Sequence, residues 1–376
     1  MIQRQGYHSR LKTTPAVRRS LAQYAGACRF VWNKVLALNE GRYLAGVPRL
    51  NYYEAAWWLT QWRHSEEYGW LAAVSIHALQ YCLRDVERAY QNLFAGRTAP
   101  PRFRKKFLSD SFRFPTDFQR DGDRLKLPKI GWMRFWKSRE IAGAIKNITI
   151  RRDGDHWTVA FQAERAVEPP VHPSTSAIGI DLGIATFAAV SDGTLYPPWN
   201  AYRRLQTQLA KAQQRAATKV KFSKNWQKCQ TVIRRIQATI ARRRKDYLHK
   251  LSTSISTNHA VIVVEDLQIG NMSRSARGTA EEPGRNVAQK AGLNKAILDQ
   301  GWGMFRSMLE YKQLWRGGVV LAVNPRYTSQ TCPQCGCVSK LNRLQQALFS
   351  CIDCEYTSHA DVHATQNILA LGQRER

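Results

Sequence analysis

Tyr327–Cys337 reads YTSQTCPQCGC, and Cys351–Ile368 reads CIDCEYTSHADVHATQNI. These two runs hold Cys332, Cys335, Cys351 and Cys354, two C-x-x-C knuckles fifteen residues apart. Such spacing lets four thiolates converge on one tetrahedral Zn²⁺ at about 2.3 Å each. A redox site needs only one such pair, and a disulfide framework suits a small secreted domain. The expectation is therefore a structural zinc ribbon, with Cys337 beside it as a spare thiol that could compete as a ligand. Seven residues past the last ligand, Asp361 opens an apparent helix. A lone Asp at that position is ordinarily an N-cap, so its meaning depends on whether upstream carboxylates join it.

Two apolar strands upstream end in such groups. Ile178–Gly183 (IGIDLG) carries Asp181, and Ala260–Leu267 (AVIVVEDL) ends in Glu265 and Asp266. Taken singly, each acid reads as a turn residue or a cap. A sheet of the RNase H type sets such strand ends side by side at one edge. Three carboxylates grouped there repel one another and hold divalent cations, typically two Mg²⁺ about 3.5–4 Å apart. Asp181, Glu265 and Asp361 are the candidate catalytic and metal-binding set.

The charge of the chain points to the substrate class. Its 376 residues carry 57 Lys and Arg against 28 Asp and Glu, a formal charge of +29. A field of that size calls for a polyanion, nucleic acid before membrane. About half of it lies in residues 201–250, where fifteen Lys and Arg face Asp246 alone. This long, broken helix pair, which includes Arg234, Arg242 and Arg243, would repel itself without a polyanion along it. No apolar run reaches the ~20 residues of a spanning helix, and Met1–Gln5 lacks a signal-like core. Cys28, Cys82 and Cys229 fall in helical patterns as buried thiols, consistent with a reducing compartment.

Towards the N-terminus the period changes twice. Residues 3–11 read as a strand. Helical patterns follow over 16–95, including Tyr52–Arg63 with Trp57, Trp58 and Trp62, which are expected in the core. Arg102, Arg104, Lys105 and Lys106, interleaved with Phe103 and Phe107 and followed by Phe112, Phe114 and Phe118, suit a segment tracking a nucleic-acid backbone. Residues 123–165 alternate around Asp153-Gly154 as hairpins. With residues 3–11 they are expected to close a small barrel into which the helices are inserted. Val167–Thr175 is a Pro-rich linker, residues 270–292 a mobile loop, and Leu293–Trp315 one helix.

These residues carry a resemblance. RFVWNK, PRFRKK, LKLPKIGW, GIDLG, DYLHKLST, VEDL, LDQGWGMF and YTSQTCPQCG occur in this order over nearly the full length. Together they resemble TnpB, the OrfB-type protein of bacterial insertion sequences and a relative of the type V CRISPR nucleases. The resemblance implies an α/β multidomain chain: a RuvC-like (RNase H-fold) nuclease with an inserted zinc ribbon, and an N-terminal wedge-type β-barrel carrying an inserted helical bundle. The expected limits are 1–15 and 96–168 for the barrel and 16–95 for the helical recognition domain. Those for the nuclease are 169–325 and 356–376, and for the ribbon 326–355.

The implied activity is cleavage of guide-matched double-stranded DNA next to a short flanking motif, with an RNA from the transposon end as guide. Asp181, Glu265 and Asp361 would bind Mg²⁺, with Mn²⁺ as a substitute, and the four cysteines zinc. Tyr52 and Gln80 are candidates for reading the flank. One copy would serve each RNA, in the bacterial cytoplasm and at the nucleoid.

The chain departs from the family pattern at two places. Glu355 replaces Gly after the fourth cysteine, and the DxNAAxNI helix reads DVHATQNI, with His363 for Asn and Thr365 for Ala. His363 is expected either to tune the site or to weaken metal positioning. The rival readings are a guided DNA binder without cleavage and an accessory protein in transposition. A DDE transposase would order its acids Asp, Asp, Glu, and a tyrosine transposase would need a His-x-His pair, which does not occur.

Overall fold

The computed structural model describes residues 1–106, 110–154, 156–343, 345 and 348–374, and the chain divides into two compact units, Met1–Val167 and Glu168–Arg376. Phe107, one of the aromatics assigned to the basic segment, lies outside the described residues.

The first unit opens with β1 (Ile2–Lys12), α1 (Pro15–Leu44), α2 (Tyr52–His64) and α3 (Ile76–Phe94). It continues with β2 (Ser111–Phe114), β3 (Gln119–Asp121), β4 (Arg124–Leu127), β5 (Gly131–Phe135), β6 (Ala144–Asp153) and β7 (His156–Ala166). Cap chemistry sets the helix starts. Thr14 accepts from the Val17 N–H with Pro15 in the first turn, and Asn51 and Glu54 form a reciprocal capping box. The strands form one antiparallel sheet in the order β2-β6-β7-β1-β5-β4-β3. β1 joins its halves, pairing through Ile2–Arg10 with β7 and through Leu11 and Lys12 with β5.

Among the described residues the expected barrel is not closed. Closure needs a ladder between β2 and β3, which are four and three residues long and pair only with β6 and β4. Phe112 and Phe114 alternate into the core with Ile148, Ile150 and Phe161, where they meet Leu21, Tyr24, Cys28, Leu79 and Leu83 of the helices. Helices and sheet thus share one core, and Phe112 and Phe114 are structural, not backbone-tracking. A second correction concerns α2. Trp62 is buried, but Trp57 and Trp58 are 57% and 39% exposed. Trp57 points about 100° away from Trp58, whose half-exposed ring stacks on Trp62 one turn further along the same face.

The second unit contains β8 (Ala177–Asp181), β9 (Ala188–Val190), β10 (Leu195–Tyr196), α4 (Ala201–Ala217), α5 (Lys224–Asn258) and β11 (Val261–Glu265). After these come α6 (Ile269–Met272), α7 (Val287–Gln300), α8 (Trp302–Arg316), β12 (Val319–Val323), β13 (Leu348–Ser350), β14 (Thr357–His359) and α9 (Ala360–Arg374). Gly301, at φ +75°, splits the single helix expected over 293–315 into α7 and α8. The expected loop 270–292 is shorter than its sequence suggests: it holds a Gly278–Pro283 bridge and gives way to α7 at Val287.

The main sheet runs β10-β9-β8-β11-β12, with β8, β11 and β12 parallel and β9 antiparallel to β8. Both faces are covered, which explains why β8 and β11 read as unbroken apolar runs. Ile262 and Val264 pack with Leu248, Leu251, Phe305 and Leu309 of α5 and α8. Val261 and Val263 face the other way, towards Ile368 and Leu369 of α9. The approach of α9 is close enough that a Cβ at Gly179 would stand 2.2 Å from the Thr365 carbonyl oxygen. Among the described residues no helix is long and apolar enough to cross a membrane.

Candidate active site and metal centre

The parallel register decides where two of the acids lie. Ile180 pairs with Val264, so Asp181 and Glu265 leave the carboxyl ends of neighbouring strands together. That edge of an open α/β sheet is where ligands characteristically bind. Asp361 comes from elsewhere, in the first turn of α9, and α9 packs on β8. Asp181 feels the charge of Asp361 on one side, and Glu265 feels that of Asp181 on the other. The structure therefore brings the three acids of the sequence reading together. Asp181 and Asp361 line a cavity of about 160 Å³ with Gly183, Thr186 and Arg343.

Burial dominates the electrostatics. It pushes Asp181 up to about 6, with the charge of Asp361 adding to the rise and that of Arg343 opposing it. It pushes Glu265 up to about 7, aided by the charge of Asp181 and opposed by the Thr328 hydroxyl, which donates to Glu265 Oε1 at 2.7 Å. Arg343 stands with Nη2 3.4 Å from Asp361 Oδ1. Sequence reading missed Arg343 and Thr328, since nothing local distinguishes an Arg in the ribbon spacer or a Thr before a knuckle. Asp266, next to Glu265, belongs to a different role: its carboxylate takes the Arg306 guanidinium at 2.5 Å.

The four cysteines meet. Their sulfurs all lie within 4.8 Å of one another, with Cys332–Cys354 and Cys335–Cys351 both at 3.5 Å. A tetrahedral ion with 2.3 Å bonds sets sulfurs about 3.8 Å apart, so the donor set fits zinc. The backbone N–H of Cys354, with that of Asp353, pulls the Cys351 thiol down to about 6, towards the thiolate a metal requires. Among the described residues the carboxylates do not form so tight a set. Two departures from the family pattern also find their places. Glu355 sits at φ +60°, a left-handed conformation natural to Gly. His363 is fully buried and stacks on Phe349, outside the cavity.

The remaining candidates are dispersed. α4 and α5 share a small core of Leu209, Ala212, Ile233, Ile236 and Ile240, and all their cations except Arg234 and Arg244 are exposed, Arg242 and Arg243 included. Arg244 is structural: it pairs at 2.8 Å with buried Asp299, whose carboxylate also accepts from the Tyr202 and Arg203 N–H groups that open α4. Arg102, Lys105 and Lys106 are exposed, whereas Arg104 lies over the Trp32 ring at 3.7 Å. Tyr52 opens α2 beneath the Arg84 guanidinium, and Arg84 is one turn beyond Gln80 on α3.

Comparison with known proteins is consistent with this layout. Residues 160–276 match a family model described as "Probable transposase" of the OrfB IS605 type, and residues 302–368 match the Cas12f1-like TNB domain. Residues 1–46 match a model described as a helix-turn-helix domain, although the structure there is one strand and one continuous helix. The chain is 48% identical to "Putative RNA-guided DNA endonuclease InsQ" of Escherichia coli K12, over 94% of this chain and 88% of that one. A "Putative RNA-guided DNA endonuclease" of Streptomyces pristinaespiralis is 31% identical, over 98% of this chain and 89% of that one. Among solved structures, Cas12f1 in complex with its single-guide RNA and target DNA superposes with a TM-score of 0.53 at 14% identity. That match covers 92% of this chain and 81% of the other, and shows a common fold. The chain belongs to the TnpB family of OrfB-type, RNA-guided DNA endonucleases.

Proposed function

We propose that this protein is an RNA-guided endonuclease that hydrolyses phosphodiester bonds of guide-matched double-stranded DNA at Asp181, Glu265 and Asp361. The observation that carries the proposal is the meeting of three acids from distant parts of the chain at the carboxyl edge of the parallel strands, with Asp181 coupled by charge to both others. In this reading the second unit is a RuvC-like nuclease interrupted by a zinc ribbon. The first unit is an open wedge-type sheet that grips the guide and the flanking duplex together with its helices; in the second unit the cations of α4 and α5 contact nucleic acid. Tyr52 and Gln80 remain the candidates for reading the flanking motif. One copy acts with each RNA, in the cytoplasm.

The chain's own groups divide the work. Asp181 stands between the other two carboxylates, and the Thr328 hydroxyl fixes one oxygen of Glu265. Arg343 offers a cation beside Asp361, where charge grows on a scissile phosphate. Two Mg²⁺ ions held by the three acids would supply the activated water and stabilise the departing 3′ oxygen. The cysteine set holds zinc as a structural ion.

The test uses full-length protein purified with its co-expressed RNA, on plasmid libraries matching that RNA. Wild type is expected to cut in Mg²⁺ and the Asp181→Ala variant not to. Equal, background cutting by both would overturn the nuclease reading and leave guided binding without cleavage.

A further inference from the structure

A chain of contacts connects the four-cysteine module to two of the carboxylates. Phe349, on β13 between the knuckles, stacks on the His363 ring at 3.5 Å between centroids and 18° between planes. His363 has no exposed surface. Its Nε2 lies 3.2 Å from Asn367 Nδ2, one turn further along α9. That amide nitrogen also donates to the Thr328 carbonyl at 2.8 Å and to the Thr331 carbonyl at 2.7 Å. Thr331 directly precedes Cys332, so Asn367 pins the segment entering the first knuckle. The His363 ring also hydrogen-bonds the Thr331 backbone, so His363 and Asn367 meet at the same carbonyl.

The far end of the chain of contacts is the Thr328 hydroxyl. Its single hydrogen can serve Glu265 Oε1 at 2.7 Å or the Pro325 carbonyl at 3.1 Å. The shorter, charge-assisted bond prevails when the carboxylate is ionised. At the near end, Ala360 is part of the small core formed by Cys332, Phe349 and Cys351, and Asp361 is the next residue. The same folded knuckle that seats Phe349 on His363 therefore also seats the first turn of α9.

We propose that Thr328, Asn367 and His363 are positioning residues that make the placement of Glu265 and Asp361 depend on the folded, metal-bound state of the four-cysteine module. The proposal rests on the nuclease reading above for what those carboxylates do. It adds that zinc occupancy governs the cation affinity of the acidic site, and that the ribbon is more than an adjoining module. Neither Thr328 nor His363 touches substrate in this scheme; each acts through a group beside it. Outer hydrogen-bond partners of metal ligands are worth about 10- to 100-fold in metal affinity or activity when removed.

The experiment uses the full chain purified with its RNA and follows three quantities: the Mg²⁺ concentration for half-maximal cleavage, Mn²⁺ binding by electron paramagnetic resonance, and the rate of zinc release to a chromophoric chelator. Thr328→Val keeps the shape but removes the hydroxyl. It is expected to weaken Mn²⁺ binding and raise the Mg²⁺ requirement by about 10-fold or more, with target-DNA binding unchanged and Thr328→Ser restoring both. His363→Ala is expected to accelerate zinc release and to weaken Mn²⁺ binding together. Asn367→Asp, which sets an acceptor against two carbonyls, is expected to do the same more strongly. The proposal is overturned by a wild-type Mn²⁺ response in Thr328→Val, by failure of the Ser variant to rescue, or by zinc release in His363→Ala at the wild-type rate. A wild-type complex that binds Mn²⁺ but does not cut would sink the nuclease reading alone, since the Mn²⁺ and zinc measurements still judge the positioning residues.

Discussion

Cys332, Cys335, Cys351 and Cys354 are gathered by a short local segment of chain, whereas Asp181, Glu265 and Asp361 are gathered by a sheet whose strands lie far apart in sequence. The cysteine sulfurs approach to 3.5 Å in pairs. Backbone N–H groups of Cys354 and Asp353 stabilise negative charge on Cys351 at this approach, and a metal would complete a closed site. The carboxylates cannot close up in this way. Burial and their neighbours' charges hold Asp181 and Glu265 at about 6 and about 7, so they store unfavourable electrostatics that a cation would relieve. On the proposed reading the cysteine site would keep its ion and the acidic site would exchange its cations.

The sharpest way to break this comparison is at the carboxylates. Asp181→Ala or Glu265→Gln is expected to lower the cleavage rate by about a thousandfold or more, the equivalent of several kcal/mol of charge stabilisation in the transition state. Rates on matched plasmid with guide binding held constant would show it. Cleavage within tenfold of wild type would remove that residue from the catalytic set. Next comes the cysteine site. Cys351→Ala should release the metal and expose residues 326–355 to limited proteolysis, because binding energy is folding energy in such modules. Unchanged protection would show that the knuckles fold without their ion.

A smaller effect separates the sites by pH. Because Asp181 and Glu265 titrate above their ordinary values of 3.8 and 4.5, the folded chain binds more protons than the unfolded one between about pH 4 and pH 7. Without Mg²⁺, the protein should therefore lose stability as the pH rises through that window. Asp181→Asn should flatten the slope and raise the Tm by about 2–4 °C for each kcal/mol relieved. Scanning calorimetry in zinc-replete, Mg²⁺-free buffer checks both, and a steeper slope in the variant would contradict the electrostatic picture. The smallest effect is at Glu355, whose φ of +60° strains any residue with a Cβ. Glu355→Gly is expected to stabilise the knuckle by about 1 kcal/mol, seen as slower zinc release.

What was legible in the sequence was whatever has a local period or spacing. The knuckles, the apolar strands ending in Asp181 and Glu265, and the amphipathic α1 and α3 announce themselves in this way. Trp57 and Trp58 misled because composition was taken for orientation. Phe112 and Phe114, which follow the basic run, suit a nucleic-acid track in sequence, yet their alternation in β2 marks a strand with one buried face. Arg343, Thr328 and Asp299 were invisible for a different reason: their partners lie on other elements and only packing introduces them. His363 could be flagged as a departure from the family helix, but its stacking on Phe349 could not be read.

The position of α9 carries a consequence for biosynthesis. Among the described residues, Val261, Val263 and Val323 form a face of the sheet that α9 covers through Ile368 and its neighbours. All five strands of that sheet and the knuckles precede α9 in the chain. On the ribosome that face of the sheet stays uncovered until α9 has emerged. Asp361 travels on that helix. On the proposed reading, a nascent chain would carry its basic helices before the third of its candidate metal-binding acids, and the order of translation would delay cleavage until the acidic site is complete.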